Sequence, residues 1–523
     1  MAQTGSSTAM NMADAILGPP LARGQGDDVA ILCGDERVTF AELDERACRA
    51  ANAFRSLGVE AGETVLLLLV DRPVFFYVYL GLMKIGAVPC ALNLRLAVQD
   101  LTFTISDSGA KIVVIDSDFI AQCEAAILPL EAAPTLVLSD GGDVAGYPAL
   151  PSMMELAEPA VASVQRPADA PGFWMYSSGT TGKPKGVVHA QRTVFAATDI
   201  LGDVMGVRPG DRVFASSKLF FAFSLGHVLF GTLQLGATAV LFPEWPDTEA
   251  IGAVIERHRP TIVLSVPTFY RNMLRDGVSK QPAFKQVRYF MSAGEKLPKS
   301  LYARWMEDTG RPILEGIGAT ETCFLFISNR PDRVNPGTCG VATPNTELKL
   351  LDEDGKPVTE PNRPGVLWVK IVSVALGYWN LEERTRTVFR DGWYCTGDMF
   401  TVDADGWYEH QGRADDMLKI SGQWVSPSEI EEFVRKDPRV RDAAVVGVPN
   451  EDGLVRLALF LVADVGAERE SFEQELQDQL VASLSIYKCP RRMYYVDAMP
   501  LTATGKLQRY ALRQIALAEG GIR

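Results

Sequence analysis

Tyr176-Ser177-Ser178-Gly179-Thr180-Thr181-Gly182-Lys183-Pro184-Lys185-Gly186-Val187-Val188-His189 follows the apolar run Phe173-Trp174-Met175. The stretch packs serine and threonine hydroxyls, three glycines and two lysines between two strand-like runs. Glycines let backbone N–H groups approach a ligand closely, and successive N–H groups in such turns form an anion-binding concavity. The lysines add charge and the hydroxyls add donors. This composition suits a polyphosphate. A Walker-type phosphate loop needs four residues between its first glycine and Gly-Lys-Ser/Thr. Here Gly179 and Gly182 enclose two, and Pro184 follows Lys183. A flexible linker would need neither the two lysines nor the apolar flanks.

Outward from this loop, strand and helix patterns alternate from about residue 30. Ala41 to Phe54 is apolar at helical spacing, Thr64 to Val70 reads as a buried strand, and Val74 to Ile85 reads as a helix. Lys111–Ile115, Ala237–Phe242 and Thr261–Ser265 are further short strands beside helical stretches. Such alternation predicts α/β layers with a mainly parallel sheet. A boundary falls near residue 413. Before it, Gly406 to His410 reads as a hairpin strand. After it, Val425 to Phe433 reads as the start of a helix, with strands at Ala443–Val448 and Leu457–Val462 and a helix over Ser471–Leu484. The expected domains are 1–412 and a small α+β unit over 416–523, with residues 413–415 between them.

A chain of 523 residues exceeds one ordinary core. Its net charge of −14 argues against nucleic acid, which wants a basic face. Eight scattered cysteines without a Cys-x-x-Cys predict reduced thiols and a cytoplasmic protein. No apolar run approaches membrane-span length, so no membrane partner is expected. The polar first dozen residues are expected to be disordered.

The opening stretch resembles, nearly residue for residue, the phosphate loop of the adenylate-forming superfamily of acyl-CoA synthetases, adenylation domains and luciferases. The resemblance implies a large N-terminal domain of α/β layers, with a β-barrel-like subdomain, and a small mobile C-terminal domain. It also implies that Ser177, Ser178, Gly179, Thr180, Thr181, Gly182, Lys183 and Lys185 hold ATP's phosphates, with Thr181 meeting Mg2+ through a phosphate. Gly316-Ile317-Gly318-Ala319-Thr320-Glu321 resembles the second nucleotide motif: Thr320 contacts the α-phosphate and Glu321 holds Mg2+. Gly294, Glu295 and Glu315 join the nucleotide site on the same ground. Trp393-Tyr394-Cys395-Thr396-Gly397-Asp398 resembles the ribose motif, with Asp398 on the ribose hydroxyls. Gly412 to Gly422 resembles the hinge motif: Arg413 adds a nucleotide contact, Asp415 is the pivot, and Lys419 and Gly422 line a thiol tunnel. Near the end, Lys506 matches the lysine that reaches the substrate carboxylate and α-phosphate. Thr320, Glu321 and Lys506 form the implied catalytic set.

Ser216 to Gly226 and Lys419-Ile420-Ser421-Gly422 resemble the benzoate-type CoA ligases. That likeness places Phe223, Ser224, Leu225, His227, Ile317, Cys323 and Phe324 around an acyl pocket; aromatic walls suit a flat ring. Two positions depart from the pattern. Phe324 stands where that branch tends to have histidine, and Phe223-Ser224 stands where it has Tyr-Gly. The implied reaction uses ATP, Mg2+ and coenzyme A to activate an aromatic or cyclic carboxylate through an acyl-adenylate. The rival acceptor is a carrier protein. Among relatives both monomers and homodimers are expected.

Overall fold

A computed structural model of the protein describes residues 9–141, 144, 146–178, 183–414, 418–420, 423–449, 455–464, 469–484, 486–501 and 507–519. The chain divides into two compact units. The first comprises Met1–Leu348, Trp368–Cys395 and Asp405–Tyr408; the second comprises Lys349–Leu367, Thr396–Ala404 and Glu409–Arg523.

The first unit is built on two large sheets. One has seven strands, ordered Gly377–Tyr378, Pro184–Ala190, Pro171–Ser178, Val88–Ala91, Thr64–Leu68, Ile112–Ile115 and Thr135–Leu138. Its pairings are parallel from Pro171–Ser178 to Thr135–Leu138 and antiparallel across the two strands at the other edge. The other sheet has nine strands, with a parallel centre running through Ile313–Gly318, Tyr289–Ser292, Ile262–Ser265, Arg212–Ala215, Thr238–Leu241 and Val29–Cys33. The strands of this unit predicted from apolar runs are therefore present, each with its ends within two residues of those expected.

The helix Pro73–Lys84 is buried on every side except at Val74. A helix apolar all round belongs inside a core. Its Tyr79 ring lies 6.0 Å from Phe230, and Phe230 meets Phe173 edge-on at 5.2 Å. These three rings join the helix to the strand that leads into the glycine-rich loop. The helix Phe40–Ser56 opens with a capping box, Thr39 and Glu42 bonding reciprocally to each other's backbone, and packs on Pro73–Lys84 across Gly81.

The expectation of a disordered first dozen residues fails at its end. Ala9–Met10 pairs with Arg166–Pro167. Asn11 is buried, donating to the Met83 carbonyl at 2.7 Å and to that of Val164 at 2.9 Å while capping the helix Met12–Ala22. Full use of its amide, together with burial of Met12, anchors a segment that composition alone makes look loose.

In the second unit, Val440–Pro449 pairs antiparallel with Val455–Ala463, which pairs parallel with Arg492–Tyr495. Successive side chains alternate between faces. Ala443, Val445, Leu457, Leu459 and Leu461 pack with Ile430 and Phe472 on one side. Ala444, Val446, Ala458 and Phe460 pack with Leu512 on the other. Arg509 donates to buried Glu431 at 2.5 Å and to the Val445 carbonyl at 2.7 Å, tying the helix Arg509–Ala518 to the sheet. The helix expected from Val425 begins at Pro427; Val425 instead ends the strand Gln423–Val425. Proline lacks an N–H and favours the first helical position.

Gly81→Ala would place a Cβ 2.7 Å from the Ala47 carbonyl oxygen and 2.9 Å from Ala51 N. Alanine is the better helix former by about 1 kcal/mol, but overpacking of this kind costs about 1–3 kcal/mol. The substitution is expected to lower the midpoint of the first thermal transition; a raised midpoint would contradict the close crossing.

Candidate active site

The parallel strands of the nine-stranded sheet deliver their carboxyl ends to one edge, where ligands of open α/β sheets bind. Ser292 and Glu315 are paired neighbours at that edge. Gly294-Glu295 follows the first and Gly316 to Glu321 follows the second. Gly294 has φ +89°, in the left-handed region. Glu295 is exposed and accepts from Thr268 Oγ1 at 2.8 Å. Glu315 is buried and accepts from Leu297 N at 3.1 Å.

Ile313–Gly318 turns and returns antiparallel as Leu325–Ser328. A Cβ on Gly318 would sit 2.7 Å from the Phe324 carbonyl oxygen, and one on Gly316 would sit 2.8 Å from Leu325 Cδ1. Both glycines therefore serve the tightness of this hairpin. The turn is closed by the Thr322 hydroxyl, which accepts from Ala319 N at 3.2 Å and donates to the Phe324 carbonyl at 2.9 Å. Cys323 adopts φ +61° within it. The result is a half-buried rim from Ile317 to Thr320 with Glu321 buried behind it.

Across from this turn stands Pro184–Ala190. Lys185, Val187 and His189 share one face of that strand. Lys185 Nζ donates to Glu321 Oε1 at 2.7 Å, and His189 Nε2 donates to the Thr320 carbonyl at 2.8 Å. Tyr378, opposite Val187 on the next strand, donates its hydroxyl to the same Glu321 oxygen at 2.7 Å, while Lys185 Nζ lies 4.1 Å from the Tyr378 ring centre. Burial alone would raise the Glu321 carboxyl. The Lys185 charge, its hydrogen bond and that of Tyr378 outweigh burial and hold it at about 2. Glu321 is thus an ionised carboxylate inside the protein.

Of the glycine-rich loop, Ser177 pairs with Lys185, and Lys183 Nζ lies 4.9 Å from the Phe103 ring centre. Gly179, Thr180, Thr181, Gly182, Asp415, Gly422 and Lys506 lie outside the described residues. So do the side chains of Ser178 and Lys419.

In the second unit Asp398 and Arg413 meet. Arg413 Nη1 donates to the Thr396 carbonyl at 2.7 Å and to Asp398 Oδ1 at 3.3 Å. His410 Nε2 is 3.4 Å from the same oxygen. Gly397 has φ +70°, and a Cβ there would lie 2.8 Å from Arg413 Nη2. The glycine lets the guanidinium cross the backbone.

The residues expected around an acyl group gather at the start of the helical stretch Ala222–Gln234. The His227 ring meets Phe223 edge-on at 5.3 Å and Phe324 edge-on at 5.6 Å. A Cβ on Gly226 would lie 2.8 Å from Phe324 Cε1 and 3.2 Å from Cys323 Sγ, so these groups are packed together. Leu225 is buried and Ile317 is half-buried. The Ser224 hydroxyl is buried, donating to the Ser217 carbonyl at 2.7 Å and contacting Ser217 Oγ at 2.5 Å.

Sequence reasoning passed over Tyr378, His189 and His410. The period-two spacing of Lys185 and His189 carried a signal for the second; Tyr378, 57 residues from Glu321 in sequence, carried none.

The AMP-binding enzyme model matches residues 21–379, and the model of the AMP-binding enzyme C-terminal domain matches residues 429–506. The chain belongs to the AMP-binding enzyme family. A 3-hydroxybenzoate–CoA/4-hydroxybenzoate–CoA ligase of Thauera aromatica is 47% identical over 514 residues, spanning 98% of each chain. The benzoate–CoA ligase of Thauera aromatica is 37% identical over 507 residues, 96% of this chain and 95% of that one. The crystal structure of the anthranilate CoA ligase AuaEII in complex with anthranoyl-AMP matches with a TM-score of 0.89 at 34% identity, covering 98% of both chains. The likeness to the AuaEII structure extends over nearly the whole of both chains. Among the described residues no helix is long and apolar enough to cross a membrane.

Two buried histidines of this AMP-binding enzyme set an acid sensitivity. Burial holds His189 and His227 at about 4, below the ordinary 6.5. Between those values the unfolded chain binds protons that the folded chain does not, so stability falls as pH drops from about 6.5 to 4. His189→Gln removes one such proton. Its melting temperature should depend less steeply on pH across this window than that of the unmodified protein; parallel curves would contradict the assignment.

Proposed function

We propose that this AMP-binding enzyme is an ATP-dependent ligase that joins a benzoate-type acid, with a monohydroxybenzoate as the preferred substrate, to coenzyme A. The observation that carries this reading is the 47% identity, across 98% of both chains, to the Thauera aromatica hydroxybenzoate–CoA ligase. The aromatic surroundings of His227 agree with a flat ring.

The reaction runs in two displacements. A carboxylate oxygen attacks the α-phosphorus of ATP, the α–β anhydride bond breaks, and pyrophosphate leaves. The CoA sulfur then attacks the acyl carbon, the bond to the phosphate oxygen breaks, AMP leaves, and the thiol proton passes to solvent. The first step turns an unreactive carboxylate into an acyl group with a good leaving group.

The loop from Ser177 to Lys185 holds the β- and γ-phosphates, and Thr320 faces the α-phosphate. Asp398 takes the ribose hydroxyls with Arg413 beside it. Glu321 and, through a phosphate, Thr181 would hold a magnesium ion. A single ionised carboxylate suits an ion that draws its other oxygens from phosphates and water. When bound, Mg2+ offsets phosphate charge. Lys506 stabilises the charge that builds on the transferring oxygens. Residues 413–415 form the hinge about which the small domain changes position, and Asp415 is the pivot. In the second step Lys419 and Gly422 line the path of the thiol.

The test is to supply ATP, Mg2+ and CoA with benzoate, the three hydroxybenzoates, aminobenzoates, cyclohexanecarboxylate and a medium-chain fatty acid, and to measure thioester and AMP. Equal amounts of both, greatest with one hydroxybenzoate, are expected. Adenylate without thioester would redirect the reading to a carrier-protein acceptor, and no turnover of any ring acid would overturn it. Lys506→Ala is expected to slow adenylation by about 100-fold or more while leaving thioester formation from supplied acyl-adenylate within about threefold. Equal losses in both steps would remove Lys506 from the first.

A further inference from the structure

His227 is fully buried, yet its two ring nitrogens differ in their surroundings. Nδ1 lies 2.8 Å from the Phe223 carbonyl oxygen. A carbonyl only accepts, so Nδ1 carries the hydrogen. In a neutral ring Nε2 is then a bare acceptor. Among the described residues Nε2 has no hydrogen-bond partner and is shielded from solvent. A buried polar atom without a partner is uncommon and calls for one. The ring neighbours Phe223 and Phe324 are hydrocarbon rings at 5.3 and 5.6 Å and offer Nε2 no donor. The Ser224 hydroxyl is already committed to Ser217. The group that fits Nε2 is therefore a donor brought in from outside, between aromatic walls.

We propose that His227 reads the substituent on the aryl ring of the substrate: Nε2 accepts a hydrogen bond from a ring hydroxyl. This rests on the acyl-pocket reading above and deepens it. The selected class is a benzoate bearing one donor substituent. An analogue of similar size with no donor leaves Nε2 unpaired and is penalised, since a site built to bond a hydroxyl rejects ligands that lack it. An amino group also donates and should be tolerated better than fluorine.

The experiment compares kcat/KM for the preferred hydroxybenzoate, its amino and fluoro counterparts at the same ring position, and benzoate. The unmodified protein should favour the hydroxy acid over the fluoro acid by about 10- to 100-fold. His227→Phe should collapse that ratio to within about threefold, mainly by loss on the hydroxy acid. His227→Gln, which keeps an acceptor, should retain part of it. A ratio near one in the unmodified protein, or an undiminished ratio in His227→Phe, overturns the proposal.

A second reading needs no variant. The chain has four histidines, so the imidazole nitrogens of 15N-labelled protein are assignable by NMR. The His227 Nε2 resonance should move when the hydroxy acid binds and stay when the fluoro acid binds. Equal responses, or none, overturn the proposal. Should the unmodified protein activate no ring acid at all, the acyl-pocket reading falls first and this one with it. If ring acids are activated without regard to the substituent, only the role of His227 falls.

Discussion

A buried carboxylate that must stay charged organises the candidate site. Glu321 has little contact with solvent, and an isolated charge there would be costly. Lys185 and Tyr378 both converge on Glu321 Oε1. Removing one partner of such a pair typically costs about 3–5 kcal/mol, because the other charge is left stranded. The three residues come from the hairpin below the glycine-rich loop, the turn after a central parallel strand, and a two-residue edge strand. Their meeting ties Pro184–Ala190 to the edge strand Gly377–Tyr378 and to the turn after Gly318, and the His189 bond to the Thr320 carbonyl adds a second tie to that turn.

Packing elsewhere in the first unit supports that convergence. The buried helix Pro73–Lys84 and the ring cluster Tyr79–Phe230–Phe173 hold the hairpin from one side. The parallel strands place Gly294, Glu315 and Gly316 at adjacent carboxyl ends. Phe230 and His227 lie on the same helical stretch, so the packing that supports the hairpin also seats the aromatic wall. In the second unit, Asp398, His410 and Arg413 make a compact polar cluster by the same logic of mutual satisfaction.

Much of this was legible in the amino-acid sequence, and the reasons are physical. Short buried strands such as Thr64–Leu68 and Ile262–Ser265 announce themselves as apolar runs, because a parallel strand covered on both faces has no polar side. The Gly316–Glu321 turn is a local motif whose two glycines are set by the close return of the chain at Phe324 and Leu325. Asp398 and Arg413, fifteen residues apart, were legible because each stands in a local run that resembles a family motif. Tyr378 was not, because its role comes from strand pairing across the chain. Asn11 was not, because the carbonyls of Met83, Lys84 and Val164, all distant in sequence, decide its burial. The occupied state of Ser224 and the bare nitrogen of His227 likewise depend on which neighbour each atom meets, and periodicity does not encode that.

We propose that the Lys185–Glu321–Tyr378 cluster belongs to the nucleotide end of a carboxylate-activating site. Its most direct test is exchange of labelled pyrophosphate into ATP, with and without hydroxybenzoate, across a magnesium titration, in the unmodified protein and in Glu321→Gln. Exchange should require the aryl acid, and the variant should lose at least about tenfold in rate or need more magnesium to reach it. Exchange that is indifferent to the acid, or a variant with an unchanged rate and magnesium requirement, would contradict the account.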